Sequence, residues 1–285
     1  MNPELELILI AVLAAVACAL VGSFLVVRGL AMTSDAISHA VLPGVAIGFF
    51  VTQNLSSPWL VAGAALSGLA AVWMIEAVLA SRQLRQDAAI GVVFPLFFAL
   101  GVILISRYAS GVHLDTDAVL LGELAFAPFD RLILAGRDLG LRSLWLLTGI
   151  TLINLAAVSL LFKELRLAAF DRVLAARMGF SPLLLHYLLM ALVSLTAVAA
   201  FQAVGSVLVV ALMVAPPASA YLLTSRLAPM VILGAALGSL GAAGGYALAR
   251  SFDLTIAGSM AVVVGLIFAV TIGIQASQRR FKKPS

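Results

Sequence analysis

Two residues one helical turn apart have side chains suited to metal binding. Asp35 and His39 are spaced i, i+4, so on a helix they share one face. A carboxylate together with an imidazole suits a divalent first-row cation such as manganese, iron or zinc. The pattern therefore makes Asp35 and His39 candidate metal ligands. The alternative is that Ser34 or Asp35 caps the helix and that His39 is a hydrogen-bonded interior residue.

The pair lies just before an interruption in an apolar stretch. Pro43 and Gly44 fall inside the hydrophobic residues 36–52, where they favour a break in the helix. Broken helices often line substrate sites in membrane transporters, since their freed carbonyl groups face a cavity. Ionisable residues in or near a span usually face the bundle interior or a water-filled path. Both features are compatible with a metal site, and the structural alternative stays open at this point.

A second group of candidate ligands follows in the polar residues 107–143. His113, Asp115 and Asp117 alternate along this segment, which we place on the outer side of the membrane. Acidic side chains grouped in this way could attract cations. The alternative is an ordinary solvated loop.

The other ionisable residues near the spans have structural interpretations. His186 begins a span and has no acid near it in the sequence, so we expect it to be structural. Glu76 lies near the inner end of its span, where its side chain can extend toward Arg82. Asp253 precedes the last apolar stretch and is expected to cap that helix at its N-terminus.

Several motifs that carry enzyme chemistry are absent from the sequence. There is no G-x-x-x-x-G-K-[ST] phosphate loop, no G-x-S-x-G nucleophile turn and no H-E-x-x-H zinc pair. The single cysteine, Cys18, excludes an internal disulfide and a multi-thiolate metal site. We therefore expect no enzyme, no catalytic residues and no bound cofactor. Energy for uphill transport would come from a partner or from an ion gradient.

The composition is that of a membrane protein with many spans. Of the 285 residues, 63% are hydrophobic and 11% are charged, and the mean hydropathy is +1.16. Soluble domains average about 45–50% apolar and 25% charged residues. Too few polar residues remain to form a surface in water, which excludes disorder, a disulfide scaffold, collagen and a basic nucleic-acid-binding protein. The chain is expected to contact membrane lipid and no nucleic acid.

Long apolar stretches predict an all-α polytopic integral membrane protein, with a single domain over residues 1–285. A transmembrane helix needs about 20 apolar residues. Because either the short broken stretch 36–52 or the stretch 205–224 with Pro216-Pro217 could be re-entrant, we expect eight or nine transmembrane helices with one broken helix. The other predicted stretches are residues 5–27, 59–80, 88–106, 144–163, 183–202, 205–224, 229–250 and 256–275.

The positions of Lys and Arg predict the orientation of the chain. If the loop at Arg28 is cytoplasmic, twelve of the 17 basic residues lie on the inner side and five on the outer side. Cytoplasmic loops are enriched in Lys and Arg. We therefore expect the N-terminus outside and the C-terminus, with Arg279 and Lys283, in the cytoplasm.

Residues 164–181 form the main polar segment on the predicted inner side. Apolar residues recur in it at helical spacing, Gly179 follows them, and Pro182 comes next. This pattern predicts a short amphipathic helix with a glycine stop and a new helix from Pro182. Such a segment is a natural docking surface for an energy-supplying partner.

With these residues in view, the sequence resembles the permease subunit of the manganese/zinc/iron family of bacterial ABC importers over about residues 5–275. The most specific part is SDAISHAVLPG at residues 34–44. Further support comes from GVVFP at 91–95, LDTDAVLLG at 114–122 and GSVLVVALMVAP at 205–216. The likeness is greatest to the manganese/iron branch. The doubled proline Pro216-Pro217 departs from the family pattern and could alter the local helix geometry.

The resemblance implies partners and functional residues. It implies a dimer of permeases, identical or related, docked on two cytoplasmic ATPase subunits and supplied by an extracytoplasmic metal-binding protein. The metal-contacting residues would be Asp35 and His39. The segment that couples to the ATPase would include Phe170, Asp171, Arg172, Arg177 and Gly179.

The sequence thus predicts a permease subunit of an ATP-driven importer in the bacterial cytoplasmic membrane. The expected cargo is a divalent transition metal, Mn²⁺ first, with Fe²⁺ or Zn²⁺ as alternatives. Two further alternatives are a permease for a chelated metal or cofactor, such as a siderophore, and a proton-driven secondary metal transporter. The secondary transporter would need more intramembrane carboxylates than Asp35 and Glu76 supply.

Overall fold

The structure is a computed structural model that describes residues 3–53, 57–108, 131–134 and 137–281. The first helices are α1 (Pro3–Val27), α2 (Ala31–Ala40), α3 (Leu42–Thr52), α4 (Pro58–Ala80) and α5 (Gln86–Tyr108). Two antiparallel strands follow, β1 (Arg131–Leu134) and β2 (Arg137–Leu141). The remaining helices are α6 (Arg142–Leu160), α7 (Phe162–Phe170), α8 (Arg172–Arg177), α9 (Pro182–Val204), α10 (Ser206–Leu223), α11 (Leu227–Phe252) and α12 (Ile256–Phe281).

Nine helical segments in the described ranges are long and apolar enough to cross a membrane. One of them, Ala31–Thr52, combines α2 and α3, which are separated only by Val41. The prediction of an all-α polytopic membrane protein is confirmed, and the nine candidate spans among the described residues match the larger of the two numbers that the sequence allowed. The short β1–β2 hairpin was not predicted, since both strands lie in the segment assigned to an outer loop.

The interruption of the second span lies earlier than predicted. It falls at Val41 and not at Pro43, because Pro43 occupies the first turn of α3, where its missing N–H costs no helical hydrogen bond. The span also begins at Ala31 instead of residue 36. Hydropathy alone missed these five residues because they include polar side chains, two of which, Thr33 and Ser34, are buried.

Helices α1 and α9 lie at the centre of the bundle. α1 packs against α6, α9, α10 and α11, whereas α9 packs against α1, α2, α4 and α6. Phe24 of α1 and Met190 of α9 are fully buried between these neighbours. Because α9 contacts both α2 and α4, it is placed beside the helix that bears Asp35 and His39.

Two glycines hold α3 close to α4. A Cβ atom on Gly44 would overlap the carbonyl group of Gly63, and a Cβ on Gly63 would likewise meet the carbonyl of Gly44. Only glycine allows two helix backbones to approach this closely. This contact fixes α3, and with it the preceding α2, against α4.

Two local predictions are corrected by the helix ends. Asp253 does not cap the last helix, because it ends α11 in a left-handed conformation with φ of 53°, and α12 begins only at Ile256. Aspartate adopts this conformation more readily than most residues. The doubled proline Pro216-Pro217 leaves α10 as one continuous helix from Ser206 to Leu223.

Candidate metal site and coupling segment

Asp35 and His39 lie on one face of α2, as their spacing predicts. His39 Nε2 is 3.6 Å from Asp35 Oδ1, and the side chains are 28% and 44% exposed, respectively. A separation of 3.6 Å is too long for a hydrogen bond. The carboxylate and the imidazole are therefore close enough to bind the same cation. Their ligating atoms are not hydrogen-bonded to each other.

The start of α2 excludes the alternative in which Ser34 or Asp35 caps the helix. The helix begins at Ala31, and its N-cap position is Leu30, which makes no side-chain capping bond. Ser34 instead donates from Oγ to the carbonyl oxygen of Ala31 at 2.7 Å. The Asp35 carboxylate is thus not used by the helix terminus.

His39 lies at the level of the middle of the neighbouring spans. Its ring centroid is 5.2 Å from that of Phe94 and 6.2 Å from that of Phe98, both on α5. Next to it, Ser67 in the middle of α4 donates from Oγ to the carbonyl oxygen of Ala40 at 2.7 Å. A cavity of about 50 Å³ adjoins His39 on the side of Val198 and Phe201 of α9. This depth suits a site reached alternately from the two sides of a membrane.

The pair has no third protein ligand within the described ranges. No group of three or more His, Cys, Asp and Glu side chains occurs among the residues that the structure describes. Mn²⁺ favours about six oxygen or nitrogen ligands, so most of its coordination would come from elsewhere. The outer candidates His113, Asp115 and Asp117 lie outside the described residues.

A second ionisable cluster, which the sequence did not predict, joins three helices near the predicted inner side. His186 of α9 contacts Glu76 Oε1 of α4 through Nε2. Arg28, just after α1, donates from Nη2 to His186 Nδ1 at 2.8 Å. We call Arg28, Glu76 and His186 the inner cluster. The expectations that His186 has no acidic neighbour and that Glu76 extends toward Arg82 are wrong, because distant helices bring these side chains together.

The contact with Arg28 determines which ring nitrogen of His186 carries the hydrogen, because arginine has only hydrogen-bond donors. Because Arg28 donates to Nδ1 of His186, we assign the ring hydrogen to Nε2, where it faces the Glu76 carboxylate. Burial lowers the pKa of Arg28 to about 10; the positive charge of Arg172 lowers it too, whereas Glu76 raises it. Arg28 therefore remains a cation at neutral pH.

The predicted amphipathic helix at residues 164–181 is two helices. The break falls at Asp171, whose Oδ1 accepts a hydrogen bond from the Leu174 backbone N–H at 2.8 Å and so caps α8. The glycine stop is present, since Gly179 has φ of +87°. Ser181 then caps α9 and Pro182 occupies its first turn, as predicted. The sequence pattern located the ends of the segment but not the break at Asp171.

The segment exposes a set of large apolar and basic side chains. Phe170, Val173 and Met178 are between 62% and 66% exposed, and Arg172 and Arg177 are exposed beside them. Exposed apolar side chains grouped in this way mark protein–protein contacts more often than free surface. α8 is thus a short helix with a buried residue, Ala175, and an exposed face of apolar and basic side chains.

Residues 5–275 match the family described as the ABC 3 transport family. The chain belongs to the ABC 3 transport family. Membership makes it a multi-pass membrane subunit of a transport system.

Named relatives and a solved structure extend this result. The chain is 44% identical to the manganese transport system membrane protein MntD of Bacillus subtilis (strain 168), over 94% of this chain and 91% of that protein. It is 47% identical to the zinc transport system membrane protein TroD of Treponema pallidum (strain Nichols), over 93% and 72% of the two chains. The structure is similar to PsaBC from Streptococcus pneumoniae in complex with Fab, with a TM-score of 0.79 at 29% identity over 95% and 91% of the chains.

Proposed function

We propose that this ABC 3 family protein is the permease of an ATP-driven importer of divalent transition metal ions, with Mn²⁺ as the first candidate and Fe²⁺ or Zn²⁺ as alternatives. The observation that carries the proposal is the Asp35–His39 pair, whose histidine lies at mid-bundle depth and whose ligating atoms are free of each other. The names of the relatives, which refer to manganese and zinc, support the same class of cargo.

The exposure of the pair indicates how its coordination is completed. Asp35 is 44% exposed although it lies within an apolar span. A carboxylate facing lipid is costly, so this face of α2 must meet water or another protein. We infer that a second permease copy, identical or related, packs here and that it and water supply the remaining ligands. Weak holding by few protein ligands favours passage, because a transport site must also release its ion.

The inner segment provides the coupling to energy supply. We assign ATPase docking to α8 and its ends, from Phe170 and Asp171 through Arg172 and Arg177 to Gly179. The exposed apolar side chains of this segment fit a partner's groove, and the excess of basic residues on this side supports a cytoplasmic location for it and for the C-terminus. Cytoplasmic ATPase subunits would bind here, and an extracytoplasmic metal-binding protein would deliver the ion on the opposite face.

The transport cycle follows from these positions. The delivered ion is held by Asp35 and His39 near the middle of the bundle, and ATP hydrolysis in the partner moves α8. Because α7, α8 and α9 follow each other with only short connections, movement of α8 acts directly on α9, which packs against α2. The site then opens to the inner side.

The size of the space beside the pair distinguishes the free ion from a chelated one. The cavity at His39 offers about 50 Å³ of space to the centres of water molecules, and one water needs about 10–15 Å³ of such space. A metal ion with a water fits this space, and a siderophore does not. The free-ion interpretation is therefore the better supported of the two.

The deciding experiment is metal uptake in cells that lack this permease. Wild type or the His39→Ala variant would be supplied, and Mn²⁺, Fe²⁺ and Zn²⁺ offered separately. We expect wild type to restore uptake of one metal and His39→Ala to fail. If wild type restores none of the three, the free-ion proposal is wrong and a chelated substrate becomes the leading candidate.

Coupling is tested by reversing charge on α8. Arg172→Glu combined with Arg177→Glu should weaken association with the ATPase, measured by co-purification, and should reduce transport-stimulated hydrolysis. The matched control is Arg107→Glu, a charge reversal on the opposite side. Normal coupling in the α8 double variant would contradict the assignment, and uptake that needs no ATPase at all would favour a secondary transporter.

A further inference from the structure

A larger cavity lies next to the inner cluster. Its volume is about 370 Å³, and residues from α2, α4, α5, α8 and α9 line it. Its polar lining consists of Thr33, Glu76, Gln86, Arg172 and His186. It is thus the place where a residue of the coupling segment, Arg172, meets the transmembrane helices.

This inner cavity and the cavity beside His39 are both lined by α2 and α9. Thr33 precedes Asp35 by two residues on α2, and α9 lines both cavities, with Met190 at the inner one and Val198 beside His39. Eight residues of helix separate Met190 from Val198, which is about 12 Å along the axis. The two cavities therefore lie at different heights along the same pair of helices.

The charges around the inner cavity exclude a cation in the described arrangement. The carboxylate of Glu76 is near two guanidinium groups, since Arg172 lines the same cavity and Arg28 donates to His186. The ring hydrogen that we assign to His186 Nε2 points at that carboxylate. A divalent ion would meet net positive charge and a nitrogen that cannot coordinate it. The same carboxylate and imidazole without Arg172 would be an oxygen–nitrogen ligand pair of the kind that binds first-row metals.

We propose that this cavity is the inner exit of the metal path, with Glu76 and His186 as transient ligands of the departing ion and Arg172 as the positive charge that bars it until α8 moves. The inference rests on the proposed function. It assigns to the inner cluster a binding role for a divalent cation, distinct from that of Asp35 and His39.

The chemistry of His186 couples ion binding to the opening of the cluster. Coordination through Nε2 requires its hydrogen to leave to water while Nδ1 takes up a hydrogen from water, so that the ring stays neutral. Nδ1 can then no longer accept from Arg28, and the hydrogen bond between them breaks. Ion binding and the Arg28–His186 bond therefore exclude each other. Withdrawal of Arg172 removes the repulsion that keeps the cluster closed.

The test is Mn²⁺ binding to the purified permease–ATPase complex without nucleotide, in an Asp35→Asn/His39→Gln background that removes the mid-bundle site. Adding Arg172→Gln should tighten Mn²⁺ binding by about tenfold or more, because a positive charge facing a dication is removed. Pulsed electron paramagnetic resonance should detect an imidazole nitrogen on the bound Mn²⁺. Arg172→Lys, which retains the charge, and Arg226→Gln, another inner-side arginine, are the matched controls and should give no gain.

The dependence on both ligands decides the outcome. Adding Glu76→Gln or His186→Gln to the Arg172→Gln protein should abolish the gained Mn²⁺ binding, and size-exclusion chromatography with bound ATPase verifies that each variant is folded. The proposal is overturned if Arg172→Gln gains no binding, or if the gain persists without Glu76 and His186. Since the mid-bundle pair is absent throughout, either result is independent of whether Asp35 and His39 transport the ion.

Discussion

The two carboxylate–imidazole pairs of this protein differ in how they are built. Asp35 and His39 belong to a single helix, are 3.6 Å apart and are substantially exposed. Glu76 and His186 come from two helices that are distant in sequence, touch directly, and are joined by Arg28. The first pair is open to a ligand and the second is closed by its own partners.

This difference suits the first pair to binding an ion and the inner cluster to holding helices together. Both members of the mid-bundle pair lie on α2, and His39 meets another helix through the packing of its ring against Phe94 and Phe98 of α5. The inner cluster connects the end of α1 to α4 and α9, so its loss leaves charged groups without partners between helices. We therefore expect substitutions in the first pair to affect mainly transport and substitutions in the second to affect stability as well.

The largest expected effect is on transport through the mid-bundle pair. Asp35→Asn removes the negative charge that would attract the cation, and uptake of Mn²⁺ should fall by more than about tenfold. Co-purification with the ATPase should be unchanged. Asp253→Asn is the matched control, since asparagine tolerates the left-handed conformation at that position. Normal uptake by Asp35→Asn would mean that the pair is structural.

For stability, in contrast to transport, we expect the larger effect at the inner cluster and the smaller one at Asp35 and His39. His186→Ala leaves Glu76 and Arg28 without their partner, and we expect the free energy of unfolding to fall by about 1–3 kcal/mol. His39→Ala should cost less, because its separation from Asp35 is too long for a hydrogen bond. Denaturant unfolding in detergent measures both variants. Equal losses of unfolding free energy in the two variants would contradict the view that the inner cluster stabilises the bundle more than Asp35 and His39 do.

The next largest effect on stability is expected at the close contact between α3 and α4. Gly44→Ala places a methyl group against the Gly63 backbone and should destabilise the protein by about 1–3 kcal/mol. Gly91→Ala on α5 is the control, because a Cβ there meets nothing within 4 Å. It should be neutral or stabilise the helix by up to about 1 kcal/mol. A Gly44→Ala protein as stable as Gly91→Ala would show that α3 can shift freely.

The smallest effect is expected at a third ion pair, which calibrates the other two. Arg250 Nη1 donates to Glu4 Oε2 at 2.6 Å on the predicted outer side, where both side chains are more than half exposed. Exposed pairs contribute between zero and about 1 kcal/mol. Arg250→Gln should therefore change thermal stability less than His186→Ala does. A larger loss from Arg250→Gln would indicate that location in the bundle does not govern the strength of these pairs.

The sequence determined the class of the protein and one of its two pairs. Apolar stretches of about 20 residues can lie stably only in a membrane, and a spacing of four residues brings Asp35 and His39 together on any helix. Gly179 and Pro182 marked a helix boundary for the same local reason. Each of these conclusions depends on residues that are neighbours along the chain.

Only the tertiary structure decided which residues meet across helices. His186 follows Glu76 by 110 positions and Arg28 by 158, and each alone has a simple structural explanation. Hydropathy also placed the start of the second span too late, because buried polar residues such as Thr33 and Ser34 satisfy their hydroxyl groups locally or face a cavity. Which residues share a face of one helix can be predicted from their spacing in the sequence. The approach of α4, α9 and the end of α1 depends instead on packing across the whole bundle, which no local pattern encodes.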